Sequence, residues 1–590
     1  MSKKVELSII GILFIFAFYC ALIIGIPWDE GFEMMRGKER LKYLISLGSF
    51  KSYWNYQSEE FNPGFYSTLA IFITNMFPKK FESDVFHLTN SLFSILTVFG
   101  IYRISSILFN KNVGKITFLL CFLNPIFFGH MAMNSKDTIV AFANVWSTYI
   151  FLRYLQNQSK NCNRYILLAG LTIGIGTGVR IPFIITLIPL FFFAIIDIFF
   201  LKKITNLNFS FKKFVIHLIP VLFIAYLITI SCWPQVHENI FTKPFEIASN
   251  IGNTKTHIFG LPWMLFNGDF ISTNQPPNSY IIVNFFYKSP EFILFCYVIF
   301  IYFIITNKKF FLSEFKFFLN KILLILFIFL FPTIYLIFLP YKVYDGLRLF
   351  LYLIPYFNII PGLAIYYLIY KSNSLIPKLL SGVTAGLFLY YVFIFIPYRV
   401  YDGLRIFLYI IPYFSIIPAL TIYYLINNFN RLMPKLLLGA ITSLIIYYLF
   451  IFFSFTPYQY TYLNKFVGNL SNAHKKFEND YWATSTKELI NKIPNETNFI
   501  LNKTKIKIAF CGVPHNLGKR ELNKLNNLSY EQKNLYAKDV DYIIMTNRAE
   551  QDIDNNTLAN TKTCFEKFRG EDLVSVKRNG LMLSTIRKLK

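Results

Sequence analysis

The chain is poor in charge. Of its 590 residues, Asp, Glu, Lys and Arg make up only 15%, whereas hydrophobic residues make up 55%. A soluble protein needs more charge than that to cover its surface. Apolar runs of about 18 to 22 residues recur instead, and each is long enough to cross about 30 Å of hydrocarbon. The composition therefore predicts a polytopic, all-α membrane protein, and the length of the runs excludes a β-barrel.

Several signatures of metal-dependent or nucleotide-binding proteins are also missing. The sequence contains no CxxC or HExxH pattern, and no glycine-rich phosphate loop follows its strand-like segments. The net charge is +26, but no basic stripe with interleaved aromatic residues accompanies it. Nucleic acid is therefore not expected as a partner. Lys and Arg at the cytoplasmic ends of membrane helices explain the positive charge better.

The apolar runs predict about 13 transmembrane helices, with the N-terminus inside because Lys and Arg then fall on the inner loops. The first run is interpreted as an uncleaved span, and the 13 residues 65–77 as an interfacial or re-entrant helix that is too short to cross. The predicted spans are about 7–27, 84–108, 115–132, 138–156, 164–181, 183–201, 214–233, 290–306, 321–339, 349–370, 376–396, 406–426 and 434–456.

This topology places two long loops, 28–83 and 234–289, on the extracytoplasmic face. The membrane domain then covers 1–456, and 457–590 forms an extracytoplasmic C-terminal domain. We therefore expect the chemistry of the protein to take place on the outer face.

The C-terminal domain is predicted to be a small α/β unit. The strand-like phrases "KIAFCG" (507–512), "DYIIMT" (541–546) and "LMLSTIRKL" (581–589) alternate with polar stretches. Cys511 and Cys564 could form a disulfide if this domain is extracytoplasmic.

Acidic residues stand at two outer helix ends. Asp29 and Glu30 follow the first span, and Asp137 opens the fourth. Carboxylates on one face could share acid–base work or bind a cation. The alternatives are a solvated helix end at Asp29 and a carboxylate favoured by the helix dipole at Asp137. Arg180 lies at an outer turn, where it could meet a phosphate or snorkel to the interface.

One charged phrase is written twice. "YKVYDGLRLFLYLIPYF" (341–357) returns as "YRVYDGLRIFLYIIPYF" (398–414), within two units, 340–396 and 397–453, that align without a gap. Each unit contains an outer loop and two spans, so the pattern indicates tandem duplication of a helix pair. Two added crossings leave the sidedness of everything downstream unchanged.

Each copy of the phrase contains an Asp and an Arg three positions apart. They are Asp345 with Arg348, and Asp402 with Arg405. Residues at this spacing share a helix face and could pair as an interfacial salt bridge. Alternatively, Asp orients an Arg that binds a lipid phosphate.

The order of these motifs resembles the C-type glycosyltransferases, the superfamily of the protein O-mannosyltransferases and the lipid A aminoarabinose transferases. The resemblance covers nearly the whole membrane part. The matching phrases, in order, are "WDEGFE", "NPGFYSTLAIF", "NPIFFGHMAMNSKD", "LPWMLFNGDF…QPPNSYIIVNFFYKSP", "YDGLRIFLYIIPYF" and "TPYQYTYLNKFVGNLSNAHKKFENDYWATSTKEL".

The resemblance implies transfer of a sugar, with inversion, from a polyprenyl-phosphate donor to a lipid, glycan or protein acceptor. It implies that Asp29, with Glu30, acts as base or positions the acceptor, and that Asp137 is the second conserved acid. It also implies a multi-pass protein of the bacterial plasma membrane with its active site outside. Whether a divalent cation takes part is left open.

The sequence departs from that pattern at the donor phosphate. The aminoarabinose transferases carry Lys-Pro in the first loop, where this chain has Asn62-Pro63, so another cation must bind the phosphate. The candidates are Arg405, Arg348 and Arg180. Arg405 is favoured, because the second copy leads directly into the family-like segment 458–482.

Two other functions remain open at this point. A transporter or flippase of lipid-linked sugars would show charged residues buried in mid-span and an inverted repeat, whereas the charges here cluster at outer ends and the repeat is direct. A scaffold protein built around the C-terminal domain would not need the carboxylates.

Overall fold

The structure, a computed structural model, describes most of the chain. The described residues are 3–50, 62–158, 162–205, 209–250, 262–338, 341–371, 429–493, 506–525, 528–550 and 561–589. Up to residue 454 they are mainly helical, and a sheet follows in the C-terminal part.

The helices of the first half differ widely in length, and some are long and apolar enough to cross a membrane. They are α1 (Lys3–Ile23), α2 (Glu30–Ile45), α3 (Phe65–Thr74), α4 (Glu82–Leu108), α5 (Lys111–Phe122), α6 (Pro125–His130), α7 (Asp137–Gln156), α8 (Cys162–Val179), α9 (Ile188–Ile196), α10 (Phe211–Ser231) and α11 (Lys243–Asn250).

A hairpin of β1 (Trp263–Phe266) and β2 (Asp269–Ser272) precedes the second half of the membrane region. The helices that follow are α12 (Tyr280–Lys288), α13 (Glu291–Thr306), α14 (Lys308–Glu314), α15 (Phe318–Phe338), α16 (Ile354–Phe357), α17 (Ile359–Lys371) and α18 (Phe429–Ser454).

The chain is an integral membrane protein. Seven helical stretches among the described residues are long and apolar enough to cross a membrane, and the number is eight if α12 and α13, bent by 112°, form one broken span. The predicted spans 376–396 and 406–426 lie outside the described residues. The seven stretches are Lys4–Ile23, Lys79–Leu108, Ile181–Leu201, Phe211–Ser231, Phe318–Phe338, Arg348–Lys371 and Met433–Ser454.

The predicted span 115–132 is wrong. The chain breaks between α5 and α6, where the Asn124 side chain accepts a hydrogen bond from the Phe127 N–H and Pro125 opens the new helix. Proline lacks an N–H and is suited to the first helical position, so it starts a helix more readily than it continues one.

Helix α7 forms where a span was predicted, yet it is not among the seven apolar stretches. Most of its side chains are buried, including the polar Asn144, Ser147 and Thr148. Polar groups can face neighbouring helices instead of lipid, so α7 lies inside the bundle. The short apolar helix predicted at 65–77 forms as α3.

The C-terminal part contains the predicted sheet. Its strands are β3 (Ile506–Cys511), β4 (Tyr530–Gln532), β5 (Tyr542–Thr546), β6 (Gly570–Arg578) and β7 (Leu581–Leu589), with three further helices, α19 (Thr486–Asn491), α20 (His515–Leu522) and α21 (Cys564–Lys567). The strand order is β4-β3-β5-β7-β6. Parallel pairs join β4, β3 and β5, and antiparallel pairs join β5, β7 and β6. Cys511 and Cys564 form a disulfide.

The duplicated unit is represented by parts of both copies. Residues 341–371, from the first copy, provide a loop and α17, and α18, from the second copy, packs against α17. The residues between them, 372–428, have the length of one repeat unit and contain Arg405. The described bundle therefore holds one composite unit.

Candidate functional site

Three carboxylates surround one arginine at one end of the helical bundle. Arg348 Nε donates to Asp137 Oδ2 at 3.1 Å, its Nη1 donates to Asp345 Oδ2 at 3.0 Å, and its Nη2 donates to Asp29. We call Arg348 and these three carboxylates the carboxylate cluster. The cluster brings together three distant parts of the sequence: the segment after α1, the start of α7 and the first copy of the repeated phrase.

The repeated phrase has the residues that this geometry needs. Asp345 and Gly346 both have positive φ, 58° and 64°. Glycine adopts this conformation freely and Asp tolerates it better than most residues. The turn lets the Asp345 side chain reach Arg348, so the predicted pairing within the first copy is confirmed.

Two of the carboxylates have a second arginine. Arg180 Nη1 lies 3.1 Å from Asp137 Oδ1, and Arg548 Nη2 lies 3.2 Å from Asp345 Oδ1. The Asp137 and Asp345 side chains are 5% and 1% exposed. Buried charges of this kind are tolerated only when paired, so both carboxylates are fixed in place.

Asp29 is the accessible member of the cluster. Its side chain is 35% exposed and has Arg348 as its ion-pair partner in the described part of the chain. Burial alone would raise the pKa of Asp29, but Arg348, with Lys136 and Arg548 at longer range, lowers it to about 2. Asp29 is therefore ionised at neutral pH and has an oxygen available to a ligand.

Aromatic rings line the guanidinium groups. The Arg348 guanidinium lies 4.4 Å from the Trp482 ring centre, and Trp482 Nε1 donates to Asp345 Oδ2 at 3.3 Å. The Arg548 guanidinium lies 4.9 Å from the Trp28 ring centre. Cations are stabilised over such ring faces, so residues from both ends of the chain enclose the cluster.

The C-terminal sheet reaches this site through Arg548, which the sequence analysis missed. Arg548 also donates to the Tyr481 carbonyl, and it follows β5, a buried strand that pairs in parallel with β3 and antiparallel with β7. Polar residues directly after such a strand stand where α/β sheets bind ligands, and "TNRAE" carried that signal. The backbone of Arg548 accepts from the N–H of Cys564, so the disulfide lies beside this arginine.

Not every predicted residue joins the cluster. Glu30 is buried and its Oε2 lies 2.6 Å from His87 Nε2, whereas Arg348 pairs with Asp29, Asp137 and Asp345. Its predicted catalytic role with Asp29 is not supported by this placement. Arg405 lies outside the described residues, so the preference for the second copy stays a prediction.

The cluster does not fit a divalent cation. Within the part of the chain that the structure describes, no three His, Cys, Asp or Glu side chains are placed to hold a metal ion. The carboxylate oxygens of Asp137 and Asp345 already face guanidinium groups. A cation would have to displace arginines that buried carboxylates need.

Glu478 is a buried carboxyl beside the cluster. The Ala549 N–H donates to Glu478 Oε1 at 2.8 Å. Burial raises the pKa of Glu478 to about 7, with Arg548 opposing the increase and Asp345 adding to it. Lys288 also faces this carboxyl.

We expect Glu478 to make the protein less stable as pH rises from about 4.5 to about 7, between its ordinary and its folded pKa. A raised carboxyl pKa stabilises the folded state while the group is protonated, and that contribution is lost as pH rises through the folded value. Glu478→Gln removes this titration. Melting temperatures between about pH 5 and 8 should therefore fall less steeply for the variant than for the wild type. Parallel curves would contradict the assignment.

Comparison with known proteins confirms the resemblance over part of the chain. Residues 63–233 match the family model described as dolichyl-phosphate-mannose-protein mannosyltransferase, a match that indicates a glycosyltransferase. The matched segment contains Asp137 and Arg180. No curated protein matches the chain at a significant level.

Several solved structures align along most of the chain at low identity. ArnT from Cupriavidus metallidurans in the apo state shares 10% identity over 99% of this chain and 97% of its own, with a TM-score of 0.46. ArnT from the same organism bound to undecaprenyl phosphate shares 10% identity over 99% of this chain and 98% of its own, with a TM-score of 0.47. The oligosaccharyltransferase AglB from Archaeoglobus fulgidus, in complex with an inhibitory peptide and a dolichol-phosphate, shares 13% identity with this chain. The alignment covers 92% of this chain and 69% of AglB, with a TM-score of 0.40.

Proposed function

We propose that the chain is an integral membrane glycosyltransferase that moves a sugar from a polyprenyl-phosphate donor to an acceptor. The observation that carries the proposal is the carboxylate cluster, in which Asp29 is ionised and partly exposed while its neighbours are locked by arginines. The family match supports the class of donor, since its description names a dolichyl-phosphate sugar. The acceptor is a lipid, glycan or protein.

Asp29 acts as the base in this proposal. The acceptor oxygen forms a bond to the anomeric carbon, the bond from that carbon to the phosphate oxygen breaks, and the electron pair leaves with the phosphate. The acceptor proton passes to the Asp29 carboxylate. A carboxylate with a pKa of about 2 is a weak base, so it takes the proton late, when the attacking oxygen has become cationic. Attack opposite the leaving phosphate inverts the anomeric centre.

Arg348 positions the base. Its three N–H-bearing nitrogens each donate to one of the three carboxylates. Such fixed donors hold Asp29 in one orientation before the substrate binds. Because its charge is already balanced by carboxylates, Arg348 is less suited to the donor phosphate than the sequence suggested.

Arg180 is the better candidate for the donor phosphate in the described residues. Its side chain is 27% exposed and its ion-pair partner is Asp137. A guanidinium with free N–H groups binds phosphate in a fork, and the negative charge that develops on the leaving group needs such a cation. Arg405 stays the alternative.

The Cys511–Cys564 disulfide supports an extracytoplasmic site. Disulfides persist in oxidising compartments, and this one lies beside Arg548, which reaches Asp345. We place the cluster on the outer face of a bacterial plasma membrane.

Purified protein in lipid vesicles tests the proposal. We expect it to convert a polyprenyl-phosphate hexose, labelled in the sugar, to polyprenyl phosphate and labelled product when membrane extract supplies the acceptor. Heat-inactivated protein is the control. Movement of the intact donor between leaflets without its breakdown would instead favour the transporter.

A further inference from the structure

A polar recess adjoins the carboxylate cluster and shares Asp345 with it. Its cavity volume is about 20 Å³, and it opens partly to solvent. The recess is formed by β1, α12, the turn at Gly346 and the segment 477–481. It is too small for a whole ring, and it has room for a group about the size of one hydroxyl at the edge of a larger ligand.

A buried ammonium group faces this recess without a hydrogen-bond acceptor. Lys288 is 5% exposed, yet in the part of the chain that the structure describes its Nζ makes no hydrogen bond or ion pair. The Tyr481 ring centre is 5.5 Å away. A Cβ built on Gly346 would lie 2.0 Å from Nζ, so the ammonium packs directly against this glycine. The ammonium can therefore donate to a polar group that enters the recess.

Other walls of the recess supply complementary groups. The Asn284 amide nitrogen donates to the Tyr280 carbonyl at 2.9 Å, and Asn284 lines the recess beside Lys288. Glu478 provides a carboxyl, and Phe266 and Tyr280 stack with ring centres 5.0 Å apart. Hydrogen-bonding groups beside aromatic faces are the usual lining of a small-ligand site.

The charges select a neutral ligand. A carboxylate or phosphate in the recess would meet Asp345 and Glu478, and an ammonium would meet Lys288. A hydroxyl can accept from Lys288 and donate to a carboxyl or to Asn284 Oδ1 at the same time. A ring that presents one hydroxyl to the recess can satisfy these groups.

We propose that Lys288, Asn284 and Glu478 form a subsite for the hydroxyl-bearing edge of a neutral sugar ring. The inference rests on the proposed function and adds the substrate class. The ring belongs either to the lipid-linked donor or to a glycan acceptor.

Binding measurements with matched lipids test the subsite. Protein in nanodiscs is titrated with polyprenyl phosphate, with a polyprenyl-phosphate hexose and with a methyl hexoside. For Lys288→Met we expect binding of one hexose-containing probe to weaken on the order of tenfold, the loss of one hydrogen bond to a charged group. Binding of polyprenyl phosphate should not change. The lipid arm identifies the donor sugar, and the hexoside arm identifies the acceptor glycan.

Two further variants keep the test decisive. Asn284→Leu removes an acceptor without burying a charge and should give the same selective loss if Lys288→Met does not fold. Lys519→Met, on the exposed face of α20, is the matched control and should bind like the wild type.

The possible failures are distinguishable. Equal loss for polyprenyl phosphate and its hexose would make Lys288 a phosphate ligand and overturn the subsite. Unchanged binding of both hexose probes by both variants would overturn it too and leave the proposed function intact. A wild-type protein that binds none of the lipids would contradict the proposed function, and the subsite with it.

Discussion

Replacing Arg348 by methionine is expected to remove most of the folded protein. The change leaves Asp137 and Asp345 buried with one arginine fewer each, and it leaves Asp29 without its partner. Breaking one buried ion pair costs roughly 3–5 kcal/mol, and a whole domain is often stable by only about 5–15 kcal/mol. The yield of monodisperse protein on size exclusion, and its melting temperature, measure the effect.

The repeat provides the matched control for Arg348. Arg405→Met changes the same residue in the same phrase, and we expect its yield and melting temperature to stay near those of the wild type. This expectation follows because Arg348 alone already has all three carboxylates as partners. Losses of similar size in both variants would contradict it.

Deleting one repeat unit in two ways sharpens this control. Removing 372–428 leaves the composite unit that the structure describes, with Arg348, whereas removing 340–396 leaves the second copy, with Arg405. Each deletion removes two predicted spans, so the C-terminal domain stays on the same side of the membrane. If one phrase can replace the other, both shortened chains should fold, and Arg→Met should now be equally harmful in each.

The meeting of Asp29 and Asp137 was predictable because topology alone brings outer helix ends to one face. Their shared partner was only half predictable. The phrase that contains Arg348 stood out by its repetition, but two nearly identical phrases gave no physical reason to prefer the first. Local patterns cannot identify a partner hundreds of residues away, and for this reason Arg548 was missed.

Glu30 illustrates a different limit. Adjacent residues at a helix start project in directions about 100° apart, so neighbours in sequence seldom share a site. Glu30 points to His87, whereas Asp29 points to Arg348. The break at Pro125 could have been predicted, because Asn followed by Pro is typical of a helix start. The average hydrophobicity of the whole segment 115–132 obscures this local pattern.

Strand β6 was also missed, although the turn that follows it could have predicted it. Asn579 and Gly580, both with positive φ, form the turn into β7. An Asn-Gly pair before a strand is a strong hairpin signal. The charged residues of β6 suit an edge strand. Because of these residues, the sequence of β6 looks like a polar loop and does not stand out as a strand.

Asp29→Asn is expected to abolish sugar transfer while the protein still folds. The amide keeps the size of the side chain but cannot accept a proton, and loss of a general base typically lowers turnover roughly 10²–10⁴-fold. Folding should survive, because Asp29 is 35% exposed and its neighbours keep their own arginines. Turnover of labelled donor per folded protein is the measurement, with kcat falling more than KM rises, since the carboxylate acts in the transition state.

Glu30→Gln is the matched control, one residue away and outside the cluster. We expect it to lower the melting temperature through the lost charge opposite His87, with turnover per folded molecule close to that of the wild type. Full turnover by Asp29→Asn would refute the base assignment.

The pH dependence of wild-type activity is a second test of the base. A carboxyl with a lowered pKa of about 2 stays ionised above that pH. Protonation of Asp29 should therefore not reduce wild-type activity at acid pH before the protein itself unfolds. An acid limb near the ordinary carboxyl pKa would mean that the reacting base is a group which Arg348 does not hold.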